Sequence, residues 1–170
     1  MKENKITTYA DLESIWVQEM IKISENLNKQ YIVWEEVFNN GVKVKNNLVF
    51  SKKKNRKLQI NPKTIVEVWR GSETGSWKKV ISEVTKKGYQ AILAAGWYLN
   101  YIQYGVDWEP FYSQEPTDFN GSEDQKKLVI GGSVAMWGEY VDGTNILPRT
   151  WPRASAVGKS KILNIFNIHL

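Results

Sequence analysis

The sequence predicts an α/β fold in which four parallel strands alternate with helices, and two observations support this prediction. Four apolar runs each end at or beside an aromatic residue, at positions 32–34, 65–69, 91–98 and 128–137. The stretches between them show apolar residues at helical spacing or helix-capping residues. Strands separated by helices form right-handed βαβ units, which build a parallel sheet. The last run lacks polar alternation, which is typical of a strand buried on both faces.

The amino-terminal segment predicts an amphipathic helix over residues 9–27. Thr8 and Asp11 match the N-cap signature of Ser/Thr followed by an acidic residue three positions later. Apolar residues then recur at helical spacing and should form the face turned towards the core; they are Leu12, Ile15, Trp16, Met20, Ile23 and Leu27. A short strand at 31–34 and a turn at 39–41 follow.

Residues 44–59 break this pattern with a Lys/Asn-rich composition. Seven of the 23 Lys and Arg residues lie between Lys43 and Lys57, where no acidic residue occurs. The formal net charge of +5 is therefore a local feature. We expect a solvated, disordered insertion here. The alternative is an arm that binds an anionic polymer, and we predict no nucleic-acid partner.

The rest of the chain predicts three further strands and two helices. After a strand at 64–69, Ser76 should cap a helix that Gly88 terminates as its C′ residue. A strand at 89–96 leads to an ordered loop at 100–121, and Ser122 with Gln125 should form a capping box before the last strand. A closed (β/α)8 barrel has eight strands and about 250 residues. We therefore predict a partial (β/α)8 TIM barrel of about four βα units, the second half of the barrel.

Composition excludes several kinds of site. The chain has no cysteine and one histidine, His169, so thiolate and histidine-based metal sites are excluded, and we predict no metal and no cofactor. No run of about 18 apolar residues exists to span a membrane. The first residues show no signal-peptide pattern.

Several motifs resemble the catalytic domain of family 20 glycoside hydrolases, the lysosomal and insect β-N-acetylhexosaminidases. They cover most of residues 8–157, outside 44–59. The motifs are Tyr31-Ile-Val-Trp-Glu-Glu-Val-Phe38, Thr64-Ile-Val-Glu-Val-Trp-Arg70, Trp97-Tyr-Leu-Asn-Tyr-Ile-Gln-Tyr-Gly-Val-Asp-Trp108, Leu128-Val-Ile-Gly-Gly-Ser-Val-Ala-Met-Trp-Gly-Glu-Tyr-Val-Asp142 and Leu147-Pro-Arg-Thr-Trp-Pro-Arg-Ala154.

The resemblance implies removal of terminal N-acetylglucosamine or N-acetylgalactosamine from glycans or chitin fragments. The mechanism it implies is substrate-assisted and retaining: the 2-acetamido oxygen attacks the anomeric carbon, one Glu acts as general acid, and a neighbouring Asp orients the acetamido group. No Asp-Glu dipeptide occurs in this sequence. We therefore predict no catalytic residue in this chain and no activity from it alone. Glu35 and Glu36 follow a different strand from the family's acid, and we interpret them as structural or exposed loop residues.

The resemblance also assigns substrate-binding residues. It implies that Trp34, Trp69 and Trp137 wall the site, that Tyr98 donates its hydroxyl to the acetamido carbonyl, and that Glu139 and Asn100 bond to sugar hydroxyls. The uncharged Tyr101 favours neutral sugars. By contrast, Trp16 and Trp77 lie on helix faces and should belong to the core, and Arg70 and Arg153 should make structural ion pairs.

Three departures from the family pattern define the predicted organisation. Residues 1–157 form the carboxyl-terminal part of the catalytic domain, residues 44–59 are an aberrant insertion, and residues 158–170 are a non-family tail. We hypothesise retained non-coding sequence and a truncated gene model, and we expect low stability from an isolated half-barrel. The resemblance implies a homo- or heterodimer and a lysosomal or extracellular location. The alternative function is a non-catalytic carbohydrate-binding or interaction protein.

Overall fold

The structure, a computed structural model, describes residues 8–40 and 63–158. The predicted insertion at 44–59 and residues 159–170 of the predicted tail lie outside the described residues. The elements are α1 (Tyr9–Asn26), β1 (Ile32–Trp34), α2 (Glu35–Asn39), β2 (Ile65–Val68), α3 (Trp77–Lys86), β3 (Gln90–Leu93), α4 (Glu109–Ser113), α5 (Glu123–Lys127), β4 (Val129–Gly132) and α6 (Ile146–Thr150). None of these helices is long and apolar enough to cross a lipid bilayer.

The four strands form one parallel sheet in the order β1-β2-β3-β4, which confirms the predicted α/β class and strand count for the described residues. The register places Val33 beside Val66 and Val66 beside Ala91. Residues that pair across strands point to the same face, and neighbours along a strand point to opposite faces. The sheet therefore has two distinct faces, and β1 and β4 are its edges.

Helices cover one face of this sheet, which we call the covered face. It carries Val66 and Val68 of β2 and Ala91 and Leu93 of β3, all fully buried. These side chains form one core cluster with Val17 and Ile21 of α1 and with the apolar side of α3, namely Trp77, Ile81 and Val84. The prediction that Trp77 belongs to the core is confirmed.

The opposite face, which we call the open face, carries no helix among the described residues. Ile32 and Trp34 of β1 and Ile130 of β4 are about half exposed, whereas Glu67 and Ile92 on the middle strands are partly buried. The prediction that the last strand is buried on both faces is wrong, because β4 lies at an edge and alternates between partly buried and exposed residues. Its apolar sequence suits a covering that the described part of the chain does not supply.

Helix α1 confirms the predicted helix but not its predicted buried face. The Thr8 hydroxyl accepts a hydrogen bond from the Asp11 backbone N–H, as the N-cap signature predicts. However, Val17 and Ile21 face the core, while Trp16 is 63% exposed along with the other apolar residues of the predicted face. Helical periodicity identifies an apolar stripe but not the partner that covers it.

Local turn chemistry matches the sequence at the carboxyl end of α3 and at α5, whereas the predicted capping by Ser76 at the amino end of α3 is confirmed in position only. Ser76 occupies the N-cap position of α3 without a side-chain capping bond, and Gly88 adopts the positive φ of 84° expected at C′. At α5, Ser122 and Gln125 form the complete predicted capping box. Strand β3 is shorter than predicted because the chain turns after Leu93 and Gly96 adopts a φ of 83°.

Candidate functional site

Four aromatic side chains of the predicted site lie at the carboxyl ends of the four strands. Trp34 ends β1, Trp69 follows β2, Tyr98 follows the turn after β3, and Trp137 follows β4. Parallel strands bring their carboxyl ends to one edge of the sheet. In (β/α) barrels this is the end that carries the active site.

These rings form one continuous chain of contacts, which we call the aromatic wall. The Trp34 and Trp69 ring centroids are 6.3 Å apart with an interplanar angle of 79°, and the Trp69 and Tyr98 centroids are 6.4 Å apart. Tyr98 also stacks on Tyr101 at 5.4 Å. The indole N–H of Trp137 donates a hydrogen bond to the Tyr98 hydroxyl oxygen. Trp34 and Trp137 are 47% and 51% exposed, so both ends of the wall are accessible.

Tyr98 is the centre of the wall, and its environment keeps its hydroxyl protonated. Burial, followed by the nearby Tyr101 and the carboxylates Glu67 and Glu36, raises the pKa of Tyr98 to about 12. The Trp137 hydrogen bond lowers this pKa but does not offset the other effects. Because an indole can only donate, the bond to Trp137 occupies an acceptor position and leaves the Tyr98 hydroxyl hydrogen available.

Two consecutive carboxylates hold Trp69 in place. Glu36 accepts from the Trp69 indole N–H through both of its oxygens at 3.0 Å, and Glu35 accepts from the Trp69 backbone N–H at 3.2 Å. Glu35 also pairs with Arg70 Nε at 2.6 Å, and the Arg70 guanidinium lies 5.3 Å from the Trp69 ring. The predicted ion pair of Arg70 is confirmed. Of the two roles predicted for Glu35, structural or exposed loop residue, the structural one is confirmed, because Glu35 begins α2, is 2% exposed and binds Arg70 and the Trp69 backbone.

A buried arginine holds the loop that carries Tyr98 and Asn100. The Arg153 side chain is fully enclosed and donates from its Nη1 to the backbone carbonyls of Leu99 and Tyr101. Its Nη2 and Nε donate to Asp107 at 2.6 and 3.1 Å. The predicted structural ion pair of Arg153 is therefore confirmed, and its partners lie on both sides of Asn100.

Asn100 and Glu139, the two remaining residues of the predicted site, lie in different environments. Asn100 is 4% exposed, and its Oδ1 is buried without a hydrogen-bond partner among the described residues. Buried polar atoms without a partner are uncommon in native structures. Glu139 lies in an exposed turn two residues after Trp137, and none of the described contacts joins it to the aromatic wall.

Sequence reasoning missed a polar contact behind the wall. Ser133, just after β4, donates to Glu67 on the open face of β2, and Glu67 is one of the charges that act on Tyr98. Glu67, the one charged residue of β2 and next to its last residue, was the available signal, since polar residues near the carboxyl ends of strands face the site. Among the described residues, no group of three or more His, Cys, Asp or Glu side chains is arranged to hold a metal ion.

A separate cavity of about 580 Å3 lies at the opposite, amino-terminal ends of the strands. It is lined by Glu25, Asn28, Lys29, Gln30, Tyr31, Lys63 and Gln90. None of the predicted site residues lines this cavity. Because substrate sites of (β/α) barrels lie at the carboxyl ends of the strands, the aromatic wall is the stronger candidate.

Comparison with known proteins gives a consistent family. The chain is similar to a rat beta-hexosaminidase subunit alpha, with 43% identity over 94% of this chain and 27% of that protein. It is 44% identical to a human beta-hexosaminidase subunit beta over 90% of this chain and 24% of that protein. The chain thus spans about a quarter of the length of these relatives.

Solved structures show the same fold at low sequence identity. A Flavobacterium johnsoniae chitobiase matches with a TM-score of 0.66 at 23% identity, over 94% of this chain and 22% of that chain. A Vibrio harveyi exo beta-N-acetylglucosaminidase in complex with N-acetylglucosamine matches with a TM-score of 0.64 at 20% identity, over 94% of this chain and 24% of that chain. The family model described as glycosyl hydrolase family 20, catalytic domain, matches residues 1–161. This chain therefore belongs to glycosyl hydrolase family 20.

Proposed function

We propose that the chain forms the carboxyl-terminal half of a (β/α)8 barrel and carries the sugar-holding part of a β-N-acetylhexosaminidase site. The aromatic wall supports this proposal most directly. Its four members come from four different strand ends, and its two outer rings, those of Trp34 and Trp137, remain half exposed. The ligand is a terminal non-reducing N-acetylglucosamine or N-acetylgalactosamine of a glycan or chito-oligosaccharide.

The wall has the chemistry that an N-acetylated sugar needs. Indole faces pack against the apolar C–H surface of a pyranose ring and against the acetamido methyl group. The Tyr98 hydroxyl, which is protonated at neutral pH, donates to the acetamido carbonyl oxygen. Fixing that oxygen in line with the anomeric carbon is the positioning that substrate-assisted catalysis requires.

Two further residues complete the proposed sugar contacts. The unpaired Oδ1 of Asn100 provides an acceptor for a sugar hydroxyl. Glu139, exposed beside Trp137, provides a carboxylate acceptor. A hydrogen bond to a charged group contributes about 1.5–3 kcal/mol, so Glu139 would be a strong contact once a sugar lies against Trp137.

The chain lacks the groups that would carry the chemical step. It contains no Asp-Glu pair to act as polariser and general acid. The carboxylates nearest the wall have other roles: Glu36 holds the Trp69 ring, and Glu35 is buried against Arg70. General acid catalysis contributes about 10²–10⁴ in rate. We therefore propose that this chain binds the sugar but does not hydrolyse it alone.

Calorimetric titration with N-acetylglucosamine tests the binding. We expect saturable binding that glucose, which lacks the acetamido group, does not reproduce. Tyr98→Phe should weaken binding about tenfold through loss of one hydrogen bond, and Trp137→Ala should weaken it at least as much. Trp151→Ala is the matched control, since Trp151 is equally exposed at 56% and makes no described ring contact with the wall. Equal binding of glucose, or equal loss in the control, would contradict the proposal.

Assay with an aryl N-acetylglucosaminide tests the absence of turnover. We expect no hydrolysis above background from the purified chain. Measurable turnover that Glu139→Ala abolishes would show that this chain contains a complete catalytic site.

A second candidate function is a non-catalytic carbohydrate-binding protein. The absence of an Asp-Glu pair from the sequence, beside an otherwise continuous wall, favours it. It predicts the same titration result but also predicts that the chain stays inactive when the missing barrel half is supplied as a separate polypeptide. Restored turnover in that mixture would favour the hexosaminidase. The dimeric state and the lysosomal or extracellular location that the family resemblance implies remain part of the proposal for the hexosaminidase.

A further inference from the structure

The aromatic wall consists of two halves that lie on different pairs of strands. In the first half, Trp34 and Trp69 lie at the ends of β1 and β2 and contact each other edge to face. In the second half, Tyr98 and Trp137 lie beyond β3 and β4 and are joined by a hydrogen bond. The halves meet at Trp69 and Tyr98, whose ring centroids are 6.4 Å apart. The shape of the wall therefore depends on how the second half is held against β2.

The segment that carries Tyr98 pairs with the segment that follows β4. The backbone N–H of Ala135 donates to the Trp97 carbonyl at 3.0 Å, and the Ala135 carbonyl accepts from the Leu99 N–H at 2.8 Å. Tyr98 itself forms a parallel bridge with Ala135. A shift of the chain after β4 would therefore carry the second half of the wall with it.

Two contacts connect this unit to β2. The Val68 carbonyl accepts from the backbone N–H groups of residues 94–95 at 2.8 and 3.0 Å, at the start of the turn that leads to Tyr98. The second contact is made by side chains: the Ser133 hydroxyl donates to the Glu67 carboxylate. It joins β2 directly to the segment after β4.

The bond between Ser133 and Glu67 crosses a strand. Because β3 lies between β2 and β4, the backbones of those two strands are about 10 Å apart. The bond lies where β3 ends, since Glu67 is in register with Ile92 and the Ser133 N–H donates to the Leu93 carbonyl at 3.0 Å. A long carboxylate side chain from one side and a hydroxyl from the other bridge this distance over the end of β3.

We propose that Glu67 and Ser133 are positioning residues that hold the two halves of the aromatic wall at the spacing at which one sugar contacts both. This inference rests on the proposed function. Glu67 is in register with Trp34 on the open face, so its bond ties the strands of the first half to the segment of the second half. Hydrogen bonds to a charged group are roughly twice as strong as those between neutral groups.

Electrostatics supports the closeness of Glu67 to the second half. Burial, followed by the nearby Tyr101 and Glu67, raises the pKa of Tyr98 to about 12. A carboxylate has this effect when it lies near the titrating hydroxyl. Glu67 therefore acts on the second half in two ways, through its bond to Ser133 and through its charge, and substitutions separate the two.

Calorimetric titration with N-acetylglucosamine tests the bond. Ser133→Ala removes it and should weaken binding about fivefold, whereas Ser133→Thr keeps a hydroxyl and should restore binding. Glu67→Ala should weaken binding at least as much, and adding Ser133→Ala to it should cause no further loss, because both changes remove the same bond. Glu67→Gln keeps an acceptor for Ser133 and should bind more tightly than Glu67→Ala.

Thr85→Val is the matched control for loss of a hydroxyl. The Thr85 hydroxyl is buried on α3, away from the wall, and donates to the Ile81 carbonyl at 2.8 Å. This variant should lower stability in urea denaturation without weakening the binding of N-acetylglucosamine. Ultraviolet titration adds a readout that a general loss of stability does not move: Glu67→Gln should lower the pKa of Tyr98, and Thr85→Val should leave it unchanged.

The outcomes separate this inference from the proposed function. Equal binding by Ser133→Ala and the unmodified chain, an additive loss in the double variant, or an unchanged pKa of Tyr98 in Glu67→Gln would overturn the inference alone. Absence of binding by the unmodified chain would overturn the proposed function and the inference with it. Circular dichroism shows whether each variant is folded, and Ser133→Ala, the milder change, decides the result if Glu67→Ala does not fold.

Discussion

The two faces of the sheet are made from the same strands but have opposite environments. On the covered face, Val66, Val68 and Leu93 are fully buried in one core cluster with side chains of α1 and α3. On the open face, Ile32 and Trp34 of β1 are about half exposed. The covered face is a closely packed core, whereas the apolar side chains of the open face have no covering helix among residues 8–40 and 63–158.

This difference separates the residues that stabilise the fold from the residues that are proposed to bind sugar. Apolar burial on the covered face stabilises the fold. The proposed sugar-binding residues lie at the carboxyl ends of the strands, which we call the rim, where Trp34, Trp137 and Glu139 are exposed. We therefore expect substitutions on the covered face to lower the free energy of unfolding, and substitutions at the rim to lower ligand binding instead.

The largest expected effect on stability comes from truncating a covered-face residue. Leu93→Ala leaves a cavity among closely packed neighbours and should lower the free energy of unfolding by about 2–5 kcal/mol. Ile32→Ala, on the open face and 52% exposed, should cost less than about 1 kcal/mol. Urea denaturation of both variants measures the difference. Equal losses would show that the open face is also packed.

Replacement of Glu35 tests whether the contacts that hold Trp69 also stabilise the fold. Glu35→Gln removes the charge that Arg70 and the Trp69 backbone N–H bind, and should lower the free energy of unfolding by about 1–3 kcal/mol. Lys78→Met is the control, because its pair with Asp118 is exposed and should contribute at most about 0.5 kcal/mol. Denaturation curves and the N-acetylglucosamine titration together separate a general loss of stability from a displaced Trp69.

The pKa of Tyr98 predicts a pH dependence at the alkaline end. In the folded chain this pKa is about 12, against an ordinary value of 10.0. The unfolded chain therefore loses the Tyr98 proton first, and the stability from this group is complete below pH 10 and falls as the pH rises from 10 to 12. The loss should be on the order of 2 kcal/mol. Ultraviolet titration should show a late-titrating tyrosine that Tyr98→Phe removes; an unchanged titration curve would contradict the assignment.

The smallest expected effect on stability comes from the rim. Trp137 is half exposed, so Trp137→Phe should change the free energy of unfolding by less than about 1 kcal/mol. It also removes the indole donor to Tyr98 and should raise the pKa of Tyr98 further. Denaturation and ultraviolet titration measure these two effects. A large loss of stability would show that the rim is part of the packed core.

Part of the fold and of the site was predictable because it depends on local sequence. The N-cap of α1, the C′ glycine of α3 and the capping box of α5 each depend on residues within four positions of one another. The strand-end positions of Trp34, Trp69 and Tyr98 follow from apolar runs. Their convergence follows because parallel strands end at one edge of a sheet. The roles of these residues in sugar binding are a prediction from the family resemblance.

Other features depended on contacts that no local pattern encodes. The burial of Glu35 depends on Arg70, 35 residues away, and the enclosure of Arg153 depends on Asp107 and two carbonyls about 50 residues away. Gly132 is required because a Cβ there would overlap the Trp97 ring and the Leu93 carbonyl. The predicted core position of Trp16 was wrong for the same reason, since the position of the neighbouring elements decides which side of α1 is covered.

The sequence by itself determined the four strands with α1, α3 and α5, the parallel sheet and the aromatic residue at each strand end, because periodicity, caps and apolar runs act over short distances. The short helices α2, α4 and α6 were not predicted. Only the tertiary structure decided which face of the sheet is covered, which side of α1 is exposed, and which carboxylates hold Trp69. These outcomes depend on which distant surfaces meet, and the hydrophobic effect rewards any burial of apolar area without specifying the partner.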